Sequence, residues 1–102
     1  MNRGEIWLAQ VGRKRRPVVV LTRGEVLDVR SLVTVAEITT TMRGLAAEVT
    51  IDHEPAGLDH ESAINCDGLH TVPQSMLTKQ VGTLDTNDLE RVCAAVSYAL
   101  GC

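Results

Sequence analysis

Short apolar blocks separated by polar turns run through the first 84 residues, which is typical of β-strands rather than long helices. The blocks predict strands at residues 5–11, 17–22, 32–38, 47–51, 62–67 and 79–84, with a shorter one at 70–72. Gly12 is expected to end the first strand. Pro17 is expected to open the second, where its missing N–H removes no ladder hydrogen bond. Residues 23–30 and 73–77 are expected to contain short helical turns, and residues 53–61 to form a surface loop.

The end of the chain has a different period, which predicts a helix. Its apolar residues recur at steps of three and four and form one stripe, made of Leu89, Val92, Cys93, Val96 and Leu100. Asp85 is placed to cap the helix N-terminus, and Gly101 is placed to end it. Because Cys93 belongs to the stripe, we expect it in the core. The whole pattern predicts a barrel of short strands packed by a C-terminal helix.

The composition restricts how such a domain can be built and what it can bind. The chain has 102 residues, enough for one domain, and a domain this small gains stability from dimerisation. Aromatic residues make up only 2%, which excludes binding of nucleic acid by stacked aromatic rings. Three cysteines without paired spacing indicate reduced thiols, as in a cytoplasmic protein. No apolar run approaches the roughly 20 residues that span a bilayer, so no membrane association is expected.

The formal charge of −3 hides a strong asymmetry. Residues 1–43 hold eight of the ten Lys and Arg against four acids, a net charge of +4, whereas residues 44–102 have a net charge of −7. This distribution indicates a basic working face on an acidic body, although acids that merely solvate the second half would give the same numbers.

The candidate chemistry lies at the end of the basic run of residues 13–16, where Arg16 precedes a buried strand. Pro17 restricts the backbone before it, so Arg16 has a rigid base from which its guanidinium can bind a phosphate bidentately. The strand at 32–38 ends in three hydroxyls, Thr39, Thr40 and Thr41, which could face the same phosphate. Together these residues predict a phosphodiester site.

Four blocks, in order, resemble the MazF/PemK family of toxin endoribonucleases. The first is Arg-Gly-Glu-Ile-Trp at residues 3–7, and the second is Arg-Arg-Pro-Val-Val-Val-Leu at 15–21. The third is the valine-rich stretch with Ile-Thr-Thr and Arg-Gly at 33–44. The last comprises Thr71-Val72 and the strand and acid-capped helix at 82–100. The short first loop is most similar to the actinobacterial branch.

The resemblance implies a mainly β, SH3-like or plug-like barrel with helices, spanning residues 1–102 as a single dimerising domain. It also implies metal-independent, sequence-specific cleavage of single-stranded RNA to 2′,3′-cyclic phosphate and 5′-hydroxyl ends, with no cofactor. The substrate would be mRNA, with tRNA or rRNA as alternatives, and the partner an antitoxin with an acidic tail. The catalytic pair would be Arg16 and Thr39, Thr39 being chosen over its neighbours by the resemblance. For RNA contacts we expect Arg13, Lys14, Arg15, Thr40, Arg43, Asp67 and His70.

Two departures from the family leave alternatives open. The first loop here carries no acid, and residues 67–71 replace the family's acid followed by Gln-Ile-Arg-Thr, so the base-reading surface must differ. The general base is unidentified: His70 is one candidate, and a non-catalytic loop histidine is the other interpretation. A gyrase-poisoning toxin of the CcdB family on the same fold is the second hypothesis. An SH3-like adaptor is disfavoured by the scarcity of aromatic residues.

Overall fold

The computed structural model describes residues 1–11 and 13–102, so the predicted strand end at Gly12 lies outside the described part. The strands are β1 (Glu5–Val11), β2 (Lys14–Val20), β3 (Leu32–Thr39), β4 (Glu48–Ile51), β5 (Ser62–Pro73) and β6 (Leu77–Thr83). The helices are α1 (Gly24–Leu27) and α2 (Thr86–Leu100), and a 3-10 turn covers Gln74–Met76. These strands form one antiparallel sheet in the order β4-β5-β3-β2-β1-β6. The mainly β prediction with a C-terminal helix is confirmed.

Each face of the sheet has its own apolar core. On one face, α2 packs through the buried Val92 against side chains such as Ile6, Val19 and Ile64. On the other face, α1 contributes Leu27. The rest of this second cluster comprises Ala9, Val18, Val20, Val33, Val35 and Leu77, with Met76 packed against it. The β-branched residues of β2 and β3 thus serve both cores, as expected for central strands.

The sheet is barrel-like but not closed, since β4 and β6 stand at opposite ends of the strand order. The loop at 52–61 reaches β6 instead. A Cβ built on Gly57 would lie 1.9 Å from the carbonyl oxygen of Val81, and one on Gly82 would lie 1.9 Å from that of Ala56. Two facing glycines therefore let the loop backbone and the β6 backbone meet, and we call this contact the glycine seam.

The last three residues of the basic run belong to a strand, which corrects the prediction that the second strand opens at Pro17. β2 begins at Lys14, so Arg16 lies inside the strand opposite Ala9, and Pro17 lies opposite Leu8. The pairing of β2 with β3 begins only at Val18. The first residues of β2 therefore have one neighbouring strand, and this edge position tolerates a proline.

Two further predictions were wrong. The strands expected at 62–67 and 70–72 form one strand, because β5 continues through Gly68 with a register shift opposite Ala36 and Glu37. Cys93 is exposed rather than in the core. The residues of α2 that face the sheet are Leu89, Val92, Ala95, Val96 and Ala99. Cys93 lies next to this stripe on the helix surface but outside the part that contacts the sheet. Among the described residues, no helix has the length and apolar character needed to cross a bilayer.

Candidate active site

The candidate site lies where one face of the sheet changes from apolar to polar. Along β3, Val33 and Val35 are buried beneath α1 and the 3-10 turn, and the next residues on that face are Glu37 and Thr39. Arg16 shares this face with Val18 because side chains alternate along β2. The cover of α1 ends before this polar end is reached, so Arg16, Glu37 and Thr39 remain accessible.

Arg16 and Thr39 line one open cleft of about 280 Å³. Arg43 and Thr41 come to the same cleft from the segment after β3, and the full lining is Arg16, Glu37, Ile38, Thr39, Thr41, Arg43, Leu45, Glu48 and Asn65. Two arginines and two threonines therefore line a space open to solvent, together with two glutamates. This set of donors suits a phosphate group.

The Thr39 side chain is oriented by its own strand end. The backbone N–H of Thr41 donates a hydrogen bond to Oγ1 of Thr39 at 3.0 Å. A hydroxyl that accepts a hydrogen bond keeps its own proton for donation. Thr39 can therefore donate a hydrogen bond to a group bound in the cleft.

Glu48 fixes the segment that carries Arg43. Its Oε1 accepts hydrogen bonds from the backbone N–H of Leu45 at 3.0 Å and from that of Arg43 at 2.9 Å. The bond from Leu45 is the main reason that the pKa of the Glu48 carboxyl lies below its ordinary value, and Arg43 adds to this effect. The carboxylate thus holds the 43–45 backbone against the start of β4.

Glu37 and His70 form a pair beside Arg16, with Nε2 of His70 3.0 Å from Oε1 of Glu37. They come from paired strands, since β3 and β5 are neighbours in this region. Gly68 makes room for this arrangement, because a Cβ there would lie 2.8 Å from Oε2 of Glu37 and 2.8 Å from Nδ2 of Asn65. The bulge in β5 therefore shapes the edge of the site.

The other predicted RNA contacts are spread over several surfaces. Arg13, Lys14 and Arg15 are exposed, but alternation along β2 places Arg15 on the face opposite to Arg16. Thr40 lines a separate cavity with Pro17 and with residues 57–60 of the 52–61 loop. Thr41, rather than Thr40, lines the cleft beside Thr39. The remaining two residues, Asp67 and His70, do not line the cleft either. Asp67 is exposed on the β5 bulge, and His70 pairs with Glu37.

Sequence reasoning missed three polar residues of the cleft, Glu37, Glu48 and Asn65, and two apolar ones, Ile38 and Leu45. Glu37 could have been found, because it lies two residues before Thr39 on a strand and so shares its face. No comparable signal pointed to Glu48 or Asn65. Asn65 reaches the site because β5 pairs with β3, and Glu48 reaches it because β4 pairs with β5.

Residues 2–100 match the family described as the PemK-like, MazF-like toxin of type II toxin–antitoxin systems. Endoribonuclease MazF3 of Mycobacterium tuberculosis is 42% identical over 94 residues, which is 92% of this chain and 89% of that protein.

Solved structures of toxins and endoribonucleases are similar to this chain in fold. The M. tuberculosis toxin MazF-mt6 superposes with a TM-score of 0.88 at 39% identity, covering 95% of this chain and 96% of that one. A mycobacterial endoribonuclease solved with its cognate antitoxin gives a TM-score of 0.89 at 20% identity, covering 99% and 95%; this second likeness concerns the fold alone. With the family match over nearly the whole length, these likenesses show that the chain belongs to the PemK/MazF family of endoribonuclease toxins of type II toxin–antitoxin systems.

Proposed function

We propose that this protein cuts single-stranded RNA at a specific short sequence, without a metal ion, in the cleft that holds Arg16 and Thr39. The observation that carries the proposal is their convergence, from two strands, on one solvent-open cleft that Arg43 also lines. Cellular mRNA is the first substrate to consider, with tRNA and rRNA as alternatives.

The proposed reaction uses a nucleophile that RNA itself supplies. The 2′-hydroxyl loses its proton to a base and attacks the adjacent phosphorus. The bond from phosphorus to the 5′-oxygen breaks, and that oxygen takes up a proton. The products are a 2′,3′-cyclic phosphate and a 5′-hydroxyl. Catalysis then consists of holding the reacting groups in line and stabilising the charge on the phosphoryl oxygens.

Each cleft residue has a distinct part in this proposal. Arg16 binds the non-bridging oxygens bidentately and stabilises their charge, since its guanidinium is a permanent cation with parallel donors. Thr39 donates a hydrogen bond from its hydroxyl to one of these oxygens, with the hydroxyl oriented by the Thr41 N–H. Arg43, held in place through Glu48, binds a neighbouring phosphate. The exposed Arg13 and Lys14 extend the basic surface along the RNA.

The proposed protein partners are a second copy of the chain and an antitoxin. The solved mycobacterial relative bound to its cognate antitoxin supports a protein antitoxin here. An acidic antitoxin segment would neutralise Arg16 and Arg43 and exclude RNA by occupying the same cleft. Relatives named endoribonuclease favour this function over the gyrase-poisoning alternative.

Replacing Arg16 by Ala tests the proposal, with Arg15→Ala as the matched control that removes the same charge from the other face of β2. With excess EDTA present, we expect Arg16→Ala to lose at least about 100-fold in cleavage rate, the scale of a lost oxyanion donor. Arg15→Ala should stay within about 10-fold, because it changes only the general attraction of RNA.

Cleavage is measured by mapping new 5′-hydroxyl ends on a long RNA, and circular dichroism checks that both variants fold. Wild-type-level cutting by Arg16→Ala would refute the assignment of Arg16. A loss of wild-type cutting in EDTA would refute metal independence.

A further inference from the structure

A second, smaller cavity adjoins the cleft, and Arg16 and Glu37 line both. Its volume is about 90 Å³, and its walls include the buried side chains of Val18 and Val35 together with Val72 and Met76. A group bound here would therefore lie on an apolar surface. It would also lie next to the phosphate proposed to bind Arg16, because Arg16 lines both spaces. We call this cavity the base slot.

The mouth of the base slot carries hydrogen-bonding groups that the apolar walls lack. Glu37 and His70 both line it, and they contact each other at 3.0 Å. Their side chains are 39% and 53% exposed, so a bound molecule can reach them. A carboxylate accepts hydrogen bonds at two oxygens, and His70 contacts only one of these, so Glu37 keeps acceptor capacity.

These features define a ligand class. An apolar slot with polar groups at its mouth suits a flat heterocycle whose edge carries hydrogen-bonding groups, and unstacked bases of single-stranded RNA are recognised in this way. The small volume selects one ring over two. The acceptor on Glu37 selects a base with an exocyclic amino group, as acids do when they accept from cytosine N4.

We propose that the base slot binds a cytosine directly next to the cleaved bond, with Glu37 accepting a hydrogen bond from its amino group. This inference rests on the proposed nuclease function and names the base that the nuclease selects. Uracil would present a carbonyl oxygen to the Glu37 carboxylate, which leaves two acceptors facing each other. Adenine has an amino group but brings a second ring.

The test maps the cleavage sites of the full-length protein on a pool of randomised RNA, in excess EDTA, and counts the bases on either side of each cut. Wild-type protein should show cytosine at one of these two positions at least about 10 times as often as uracil, the lower range for a good base contact. Glu37→Gln should bring this ratio close to one, because an amide can also donate to uracil O4.

A second variant probes the size of the slot without touching Glu37. Met76→Ala removes part of one wall and should raise the share of purines at the same position several-fold, while cytosine remains preferred over uracil. Glu90→Gln, the same chemical change at an exposed position on α2, is the matched control and should leave both the rate and the base preference unchanged.

The outcomes separate this inference from the function on which it rests. If wild-type protein cuts RNA with no cytosine preference beside the cut, or if Glu37→Gln keeps the full preference, the base slot proposal is overturned and the nuclease proposal stands. If wild-type protein cuts no RNA while folded, both are overturned.

Discussion

At the scale of single residues, the Thr39 hydroxyl acts in two directions. It accepts a hydrogen bond from the Thr41 N–H at 3.0 Å, which fixes the backbone at the end of β3. It also faces the cleft that Arg16 lines. The first contact is structural, and the second is proposed to be catalytic. Substitutions that keep the shape or keep the hydroxyl can separate these two contributions.

Thr39→Val keeps the shape of the side chain and removes the hydroxyl. We expect the cleavage rate to fall by about 100- to 1,000-fold, as for the loss of an aimed donor. Stability should fall by only about 1 kcal/mol for the lost hydrogen bond. Thr39→Ser, which retains the donor, should stay within about 10-fold of the wild-type rate when both are measured under single-turnover conditions. Equal rates for wild type and Thr39→Val would remove Thr39 from the mechanism.

Glu48 gives the site a defined response to acid. Its pKa is lowered chiefly by the hydrogen bond from the Leu45 N–H, so the folded state favours the ionised carboxylate. The stabilisation is complete above the ordinary pKa of the group and is lost as the pH falls through the lowered value.

Urea unfolding at pH 7 and at pH 3 should therefore show a larger loss of stability for wild type than for Glu48→Gln, which has no proton to gain. Equal losses in the two proteins would show that Glu48 contributes nothing to the acid response.

At the scale of elements, the glycine seam is the contact that brings the open sheet close to a barrel. The loop at 52–61 follows β4 and reaches β6, the strand at the other end of the sheet order. Gly57 in the loop and Gly82 in β6 permit a backbone approach that any side chain would block. The seam is thus more sensitive to substitution than its position in a surface loop suggests.

Gly82→Ala should destabilise the protein by about 3 kcal/mol, the upper range for inserting an atom into a filled space, because its Cβ would overlap the Ala56 carbonyl oxygen. Gly44→Ala is the control: Gly44 has φ of +68° but nothing within 4 Å of its Cβ position. It should lose only about 1 kcal/mol, from backbone strain alone. Thermal unfolding measures both, and equal losses would show that close approach at the seam is unimportant.

Strand bounds were predictable where the residue pattern itself marks them. They were not predictable where pairing with a neighbouring strand extends the strand beyond its apolar block. β1 has its predicted bounds, and β3 and α2 follow period-two and helical patterns that sequence displays directly. β2 starts earlier than predicted because its pairing with β1 carries the charged residues from Lys14 onward into the sheet. Gly68 suggested a break in β5, but a bulge accommodates it.

The same distinction holds for the site. Arg16 and Thr39 were predicted to face one site, and the structure brings them to one cleft. Thr40, the first residue after β3, lines a separate cavity, so its predicted contact with RNA stays a prediction. Glu37 was overlooked because an acid is not sought beside a phosphate. Its relation to His70 depends on the register between β3 and β5, which sequence does not display.

At the scale of the whole molecule, large apolar side chains remain uncovered in a single chain. They are Val29, Leu32, Met42, Leu45, Tyr98 and Leu100, each more than two-fifths exposed. A domain of this size has a limited core of its own, and burying exposed apolar side chains between two copies would add to its stability. The proposed homodimer would remove some of these six side chains from water.

Light scattering coupled to gel filtration should therefore give about twice the 11.0 kDa of one chain at micromolar concentration. The expected mass should persist at high salt, because apolar contacts are not screened by ions. A mass near that of one chain under both conditions would contradict the homodimer.

The pairing of β1 with β6 aligns Glu5 with Thr83, so the first strand along the chain gains one of its two neighbours only from the last strand. At about 5–20 residues per second, a ribosome needs roughly 4–16 s to make the chain between these two positions. During that interval, β1 supports the strand that carries Arg16 while lacking its own outer neighbour. A growing chain would therefore complete the sheet around the strand that carries Arg16 only near the end of its own synthesis.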